Sequence, residues 1–316
     1  MPATGRAIPA GRAMTPRTVA VLGATGCVGG SVSAALAEAG NRVVGVARRQ
    51  PSGPHHGLDA FTSLDITTVD PGVLAKVLSA FDVKAVVNAT GGWLDDEDAY
   101  ERHHVHLVAN LLTALRRMPS PPRLVQVGSI HEYGPVAAGT AISETTPPRP
   151  TTTYARTKLA GSEAVLRAAE IPGIVLRCVN VCGPGTPPAS FLGSVVERLA
   201  DTRPVRVTVA PGRRDYLDVR DLADAVVRAS AASATGVVNI GSGTARSIPE
   251  LLDLLLEAAG LPSSAIETTR GAVQSKGGDW TLADIRRAAT ELQWRPRITL
   301  ADSMRAMWAR AREVAV

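Results

Sequence analysis

Along the first half of the chain, short β-branched and apolar runs alternate with stretches whose apolar positions recur every three or four residues. The runs at 18–22, 42–47, 60–64, 85–89, 124–128 and 174–179 are apolar at almost every position, the mark of strands covered on both faces rather than one. Between them, 28–39, 71–80, 98–117 and 153–169 have helical periodicity, with Leu159, Ala160, Ala164 and Leu166 as an apolar set in the last. This alternation predicts an α/β fold built on a doubly wound parallel sheet.

The pattern breaks after Val181. Gly183-Pro184-Gly185-Thr186-Pro187-Pro188 is a loop that neither strand nor helix crosses. Beyond it the spacing predicts a helix at 191–200, an irregular stretch to Arg214, a helix at 218–231 and a strand at 237–240. Two amphipathic helices follow, at 249–259 and 300–313. The expected organisation is a Pro/Ala/Gly-rich leader over 1–16, with Met14 as an alternative start. One domain then spans 17–182 plus 215–242, and a smaller, mostly C-terminal α/β domain spans 183–214 plus 243–316.

Composition narrows the function classes. A chain with 45% hydrophobic and 20% charged residues is neither disordered nor fibrous. Of its formal charge of +5, three positive charges (Arg6, Arg12 and Arg17) sit near the N-terminus, and no Lys/Arg block follows, which argues against a nucleic-acid binder. No run of apolar residues is long enough to span a membrane, and the leader lacks the apolar core of a signal peptide, so a cytoplasmic location is expected. Cys27, Cys178 and Cys182 are too few for a disulfide framework, and no histidine-rich segment accompanies them, so no metal site is expected.

Candidate chemistry lies where predicted strands end. Gly23-Ala24-Thr25-Gly26-Cys27-Val28-Gly29-Gly30 follows the first strand and opens a helix. Glycines there permit a tight turn and let the backbone approach a pyrophosphate, which rests on the positive end of the helix. The second strand ends in Arg48-Arg49, where a dinucleotide fold that prefers NAD(H) carries an acidic residue. Guanidinium groups grip a 2′-phosphate that a carboxylate repels, which favours NADP(H) over NAD(H). Asp65, after the third strand, is placed for the adenine amino group.

Tyr154 and Lys158 are four apart in a predicted helix, so phenol and ammonium share a face. A tyrosine titrates near 10, and a nearby cation lowers that value. Lysine occurs at only four positions in the chain, Lys76, Lys84, Lys158 and Lys276, so its arrival by chance at this spacing is rare. Ser129, at the end of the fifth strand, has a hydroxyl suited to a carbonyl oxygen, with His131 beside it as a second acid or a substrate contact.

In their order along the chain these motifs resemble the extended short-chain dehydrogenase/reductase family, in its nucleotide-sugar epimerase, dehydratase and ketoreductase branch. Further matches are Leu176-Arg177-Cys178-Val179-Asn180-Val181-Cys182-Gly183-Pro184-Gly185, Arg214-Asp215-Tyr216, Asn239-Ile240-Gly241-Ser242-Gly243 and Trp294-Arg295-Pro296. The resemblance implies a Rossmann-like sheet with Gly23, Thr25, Gly26, Cys27, Val28, Gly29, Arg48, Arg49, Asp65, Ile66, Asn88, Ala89 and Thr90 around the cofactor. Tyr154 is then the acid/base, Lys158 binds the nicotinamide ribose and lowers the tyrosine pKa, and Ser129 polarises the sugar carbonyl. Asn180 and Arg214 hold the nucleotide diphosphate, with His131 also at the sugar. Helices near 98–117 and 153–169 form a homodimer through a four-helix bundle.

Three departures from that pattern carry information. Ile130 and His131 stand where dehydratases of the branch have an Asp-Glu pair. His104 replaces a helix asparagine, and Cys182 replaces a tyrosine, which is expected to reshape the substrate pocket. The function expected is NADPH-dependent reduction of the C4 keto group of an NDP-4-keto-6-deoxyhexose. Alternatives are an NDP-sugar 4-epimerase with retained NAD(P), and an NADP-dependent reductase of a non-nucleotide carbonyl. A non-enzymatic nucleotide sensor has no reason to keep Ser129, Tyr154 and Lys158 together.

Overall fold

The computed structural model describes residues 16–50, 57–92, 94, 96–271 and 278–314. The expected leader, Pro16 apart, and Met14 lie outside the described residues, as does Lys276. In chain order the first elements are β1 (Thr18–Leu22), α1 (Cys27–Glu38), β2 (Arg42–Ala47), β3 (Ala60–Ser63), α2 (Pro71–Ala80) and β4 (Ala85–Asn88). Next come α3 (Glu97–Glu101), a π turn (Arg102–His106), α4 (Leu107–Arg116), β5 (Arg123–Ser129), a 3₁₀ turn (Ile130–Tyr133) and α5 (Thr153–Arg167). The chain continues through β6 (Gly173–Cys178), β7 (Asn180–Cys182), α6 (Phe191–Asp201), β8 (Val205–Val209), β9 (Arg213–Asp218), α7 (Val219–Ala231) and β10 (Gly236–Ile240). It ends with β11 (Ala245–Ser247), α8 (Ile248–Ala259), β12 (Ile266–Arg270), β13 (Trp280–Thr281), α9 (Arg286–Glu291) and α10 (Leu300–Val314).

Seven strands form the main sheet in the order β10-β6-β5-β4-β1-β2-β3, all parallel. Residues alternate between its faces. Val19 and Val21 enter one core with Val32 and Leu36 of α1 and Leu222 and Val226 of α7. Ala20 and Leu22 enter the other with Leu74 and Leu78 of α2 and Leu111 and Leu115 of α4. Both faces are therefore apolar, as the continuous hydrophobic runs required. Helix starts follow local capping rules: Asp70 accepts from the Gly72 and Val73 amides ahead of α2, with Pro71 in the first turn, and Thr152 accepts from Ala155 at α5.

A third core joins α6, β8, α8 and α10, with Leu199, Val207, Leu251 and Met304 among its buried members. Two small sheets belong to this half, β11-β9-β13 with β7 against β9, and β12-β8. The stretch expected to be irregular as far as Arg214 thus contains β8 and most of the approach to β9. β7 and residues 215–218 of β9, expected in the larger unit, lie in the small sheet, and the chain returns to the main sheet once more near its end. Ala283, Ala288, Leu292 and Trp294 pack into the first core of the main sheet, and Trp294 Nε1 donates to the Asp221 carbonyl at 3.1 Å. The return to the larger unit therefore includes these residues, beyond 215–242. No helix among the described residues is long and apolar enough to cross a membrane.

Candidate active site

Strand order runs 3-2-1 on one side of the main sheet and 4-5-6 on the other, so the direction of winding reverses between β1 and β4. Loops leaving the carboxyl ends of those strands diverge and leave a crevice. Gly23 begins the β1 loop at φ +78°, and a Cβ there would lie 3.1 Å from the Ala89 carbonyl oxygen of the β4 loop. Gly29 seats α1 on the turn, because its Cβ would lie 2.1 Å from the Gly23 oxygen. Gly26 caps α1 without any side-chain hydrogen bond, and the first turn carries no acidic residue. The helix thus presents open amides and its positive end to an anion, the cradle that a dinucleotide pyrophosphate fits.

Around that cradle the expected contacts fall into two groups. Gly23, Thr25, Gly26, Cys27, Val28 and Gly29 form the turn and the start of α1, with Ala89 and Thr90 against it. Arg48 and Arg49 are exposed at the end of β2. Asp65 lies near Arg48: burial pushes its carboxyl up, but hydrogen bonds from Thr67 and the Arg48 charge bring it below the ordinary range. Two expected contacts point elsewhere. Ile66 is buried in the core with α2 and α4. The Asn88 side chain is also buried, donating to Gln126 Oε1 at 2.8 Å and accepting from the Thr90 hydroxyl at 2.5 Å; it shapes the loop from behind.

Ser129, Tyr154 and Lys158 converge beside the crevice. Tyr154 and Lys158 share one face of α5, and the Tyr154 phenol hydrogen-bonds the Ser129 side chain. Lys158 is buried and donates to the Val127 carbonyl at 2.7 Å, leaving two of its three donors for other partners. The electrostatics differ from the simple expectation for a Tyr/Lys pair. Burial pushes the Tyr154 phenol above its ordinary range, with the Ser129 hydrogen bond pulling it back and the charges of Cys178, Glu132 and Tyr100 adding to the rise. Burial lowers Lys158, opposed by Glu132.

Aromatic rings enclose the tyrosine. Tyr100, His104 and His131 stand 5.7, 5.5 and 6.2 Å from the Tyr154 ring, centroid to centroid. The π turn brings His104 inward, where its Nδ1 lies 2.9 Å from Thr157 Oγ1. Such turns inside α-helices recur at functional sites, and periodicity alone gave one continuous helix over 98–117. Burial, with the Lys158 charge adding, pushes His104 down to about 3, so it is neutral at physiological pH. Gly161 allows this packing, since a Cβ there would sit 2.3 Å from the His104 carbonyl oxygen.

His131, Asn180 and Arg214 also gather here. Burial pushes His131 down to about 4, the Asn180 side chain hydrogen-bonds its ring, and the Arg214 charge disfavours its protonation. Asn180 Nδ2 donates to the Asp215 carbonyl at 3.2 Å. The Arg214 guanidinium is drawn inward: Nε and Nη2 donate to the Gly278 carbonyl at 3.0 and 2.7 Å, and Nη1 to Pro211 at 3.1 Å. Cys182 does not reshape a pocket. It is buried in the third core, 3.5 Å from the Ser303 hydroxyl, because its place in β7 turns it toward α6 and α10.

Ile130 is buried in the first core, so neither it nor His131 supplies the dehydratase carboxylates. One carboxylate, missed from sequence, is close by. Glu132 is fully buried and ion-paired to Arg177 at 2.6 Å, while it accepts from the Ser129 amide at 2.8 Å. The Ser-x-x-Glu capping-box pattern of Ser129-Ile130-His131-Glu132 was the signal for it.

Residues 19–241 match the NAD dependent epimerase/dehydratase family, and the chain belongs to that family. It is 38% identical over 305 residues to a dTDP-6-deoxy-L-talose 4-dehydrogenase (NAD(P)(+)) of Kitasatospora kifunensis, covering 93% of this chain and 95% of that protein. Among solved structures, a dTDP-glucose 4,6-dehydratase of Bacillus anthracis in complex with NAD superposes with a TM-score of 0.82 at 19% identity, covering 94% of this chain and 97% of that one. A UDP-glucose 4-epimerase of Thermotoga maritima with UDP-glucose gives 0.83 at 20% identity, covering 95% and 100%. These structural likenesses show the fold. The chain is an extended short-chain dehydrogenase/reductase related to nucleotide-sugar-modifying enzymes.

Proposed function

We propose that the protein is an NAD(P)-dependent oxidoreductase that reduces the C4 keto group of an NDP-4-keto-6-deoxyhexose. The observation that carries this reading is the convergence of Ser129, Tyr154 and Lys158 at the switch point with no carboxylate at positions 130 and 131. When bound, the reduced nicotinamide supplies the hydride. Ser129 and Tyr154 would bond the ketone oxygen, and Tyr154 donates the proton that makes it a hydroxyl. Lys158 holds a positive charge one helical turn away. Elimination of water needs an acid and a base that these residues lack, because Glu132 is committed to Arg177. The Kitasatospora relative is named a 4-dehydrogenase, and dehydrogenation at C4 is this reduction run backwards through the same groups.

Nucleotide binding would use the region of Asn180 and Arg214. A homodimer across α4 and α5 accompanies the reading, and Leu166, 39% exposed on α5, supports it. Arg48 and Arg49 support NADPH as the preferred donor. Changing both to Ala is expected to weaken NADPH by roughly tenfold or more while leaving NADH nearly unchanged, since exposed charge-assisted contacts survive screening only in part. Fluorescence titration of both cofactors checks this; equal weakening of the two refutes the NADP preference.

The reaction itself is tested with an NDP-4-keto-6-deoxyhexose and deuterium-labelled NADPH. One NADPH oxidised per sugar, with deuterium at C4, is the expected result. Rapid inversion at C4 of an NDP-hexose bearing a C4 hydroxyl, with no added cofactor and no label entering, would instead establish an epimerase.

A further inference from the structure

One carboxylate joins the end of β5 to the middle of α5. Glu132 Oε1 accepts from the Ser129 amide at 2.8 Å and from the Ser162 hydroxyl at 3.0 Å. Its Oε2 accepts from Arg177 Nε at 2.6 Å. Ser162 stands one turn beyond Lys158 and two beyond Tyr154, on the same face of α5. Arg177 lies over the Tyr133 ring, 4.4 Å from its centroid, and the Tyr133 hydroxyl donates to Asn239 Oδ1 at 2.9 Å. The carboxylate is therefore fixed from β5, α5, β6 and, through Tyr133, β10.

We infer that Glu132 is a positioning residue for the proposed reaction: it holds Ser129 in register with Tyr154 and Lys158 and sets a fixed negative charge behind them. This rests on the reading of those three residues as the reacting set. Three donors converge on Glu132, and only a carboxylate accepts from all of them. A glutamine in its place has one acceptor oxygen, and its amide would face the Arg177 N–H. An unpartnered charge buried at this depth is costly, and the Arg177 guanidinium at 2.6 Å is the partner that offsets that cost.

The charge has a second consequence. Groups that face Tyr154 are Ser129 and Glu132 from β5 and its following turn, Cys178 from β6, Tyr100 from α3, His104 from the π turn and His131. Lys158 faces Glu132, Cys178 and His104. Burial raises the Tyr154 phenol and lowers the Lys158 ammonium, and Glu132 acts to raise both. Removing its charge makes both groups release protons more readily.

Glu132→Gln tests the inference with a nucleotide sugar that the wild type turns over. Misplacing the serine is expected to lower kcat about 10–100-fold with KM and NAD(P)H affinity unchanged, and the alkaline limb of the kcat profile moves to lower pH. Glu132→Asp, shorter but charged, is expected to keep the limb in place without regaining full kcat. If Glu132→Gln does not fold, Glu132→Val combined with Arg177→Met removes both charges together, a change buried pairs often tolerate, and kcat and KM are read in the same way. Amide exchange supplies a reading without substrate: residues 127–134 and 158–164 are expected to lose protection together in Glu132→Gln. Wild-type kcat with an unmoved pH profile, whatever happens to thermal stability, overturns the inference, as does exchange that changes in neither segment or in only one. Joint loss of protection in a protein whose wild type reduces no keto sugar would sink the functional reading and leave the clamp standing.

Discussion

Tyr154→Phe is expected to lower kcat by about 10²–10⁴-fold, the range for loss of a general acid, while NAD(P)H binding stays close to wild type. The substitution removes one oxygen and keeps the ring, so the packing of Tyr100, His104 and His131 around it survives. The oxygen is what matters chemically. Burial holds the phenol protonated, which suits a group that gives its proton to a ketone oxygen, and Ser129 supplies a second hydroxyl to that oxygen in the proposed geometry. Neither neighbouring histidine replaces it, because burial pushes His104 down to about 3 and His131 down to about 4, so each is a neutral ring at physiological pH. Steady-state kinetics with the best keto-sugar substrate, together with cofactor fluorescence, checks both halves. A Phe variant with wild-type kcat would remove Tyr154 from the chemistry.

Most of the main sheet was legible because its strands are buried on both faces. The runs at 18–22 and 42–47 match β1 and β2 residue for residue, and Pro71–Ala80 matches α2, whose cap and proline are local. What escaped depends on contacts far away in sequence. β9 reads as Arg213-Arg214-Asp215-Tyr216-Leu217-Asp218, with little strand character. It forms because Asp215, fully buried, takes the amides of Ser242, Gly243 and Ala283. β8 pairs with β12, although β9, α7, β10, β11 and α8 lie between them in the chain, and such partners leave no local trace. The site shows the same division. Gly23, Gly26, Gly29, Tyr154 and Lys158 are tied to spacing, and spacing revealed them. Arg214 was recognised by its motif, but its capture by the Pro211 and Gly278 carbonyls is a tertiary fact. The π turn that delivers His104 also left no periodic signal.

Gly29→Ala is expected to weaken NAD(P)H by about 100-fold, which is about 2.7 kcal/mol and within the cost of overpacking a tight contact. The added Cβ would lie 2.1 Å from the Gly23 oxygen, 2.7 Å from its carbonyl carbon and 3.1 Å from Ala24 Cα. All three are backbone atoms, so no side chain can rotate away. The turn is also pinned: the Gly23 amide donates to Val46 at 2.8 Å, and the Gly23 oxygen accepts from the Gly26 amide at 2.9 Å. Relief must come from moving α1 outward, which carries its open amides away from the place where a pyrophosphate would rest. Gly30→Ala separates this cause from a general intolerance of side chains in α1. Its Cβ would meet only the Ala24 oxygen, at 3.6 Å, an ordinary contact, and alanine improves helix propensity by roughly 1 kcal/mol. Gly30→Ala should therefore bind cofactor like the wild type and melt no lower. Isothermal titration of both variants decides the matter: equal affinity loss in the two, or none in Gly29→Ala, would mean that the seating of α1 on the glycine turn does not govern cofactor binding.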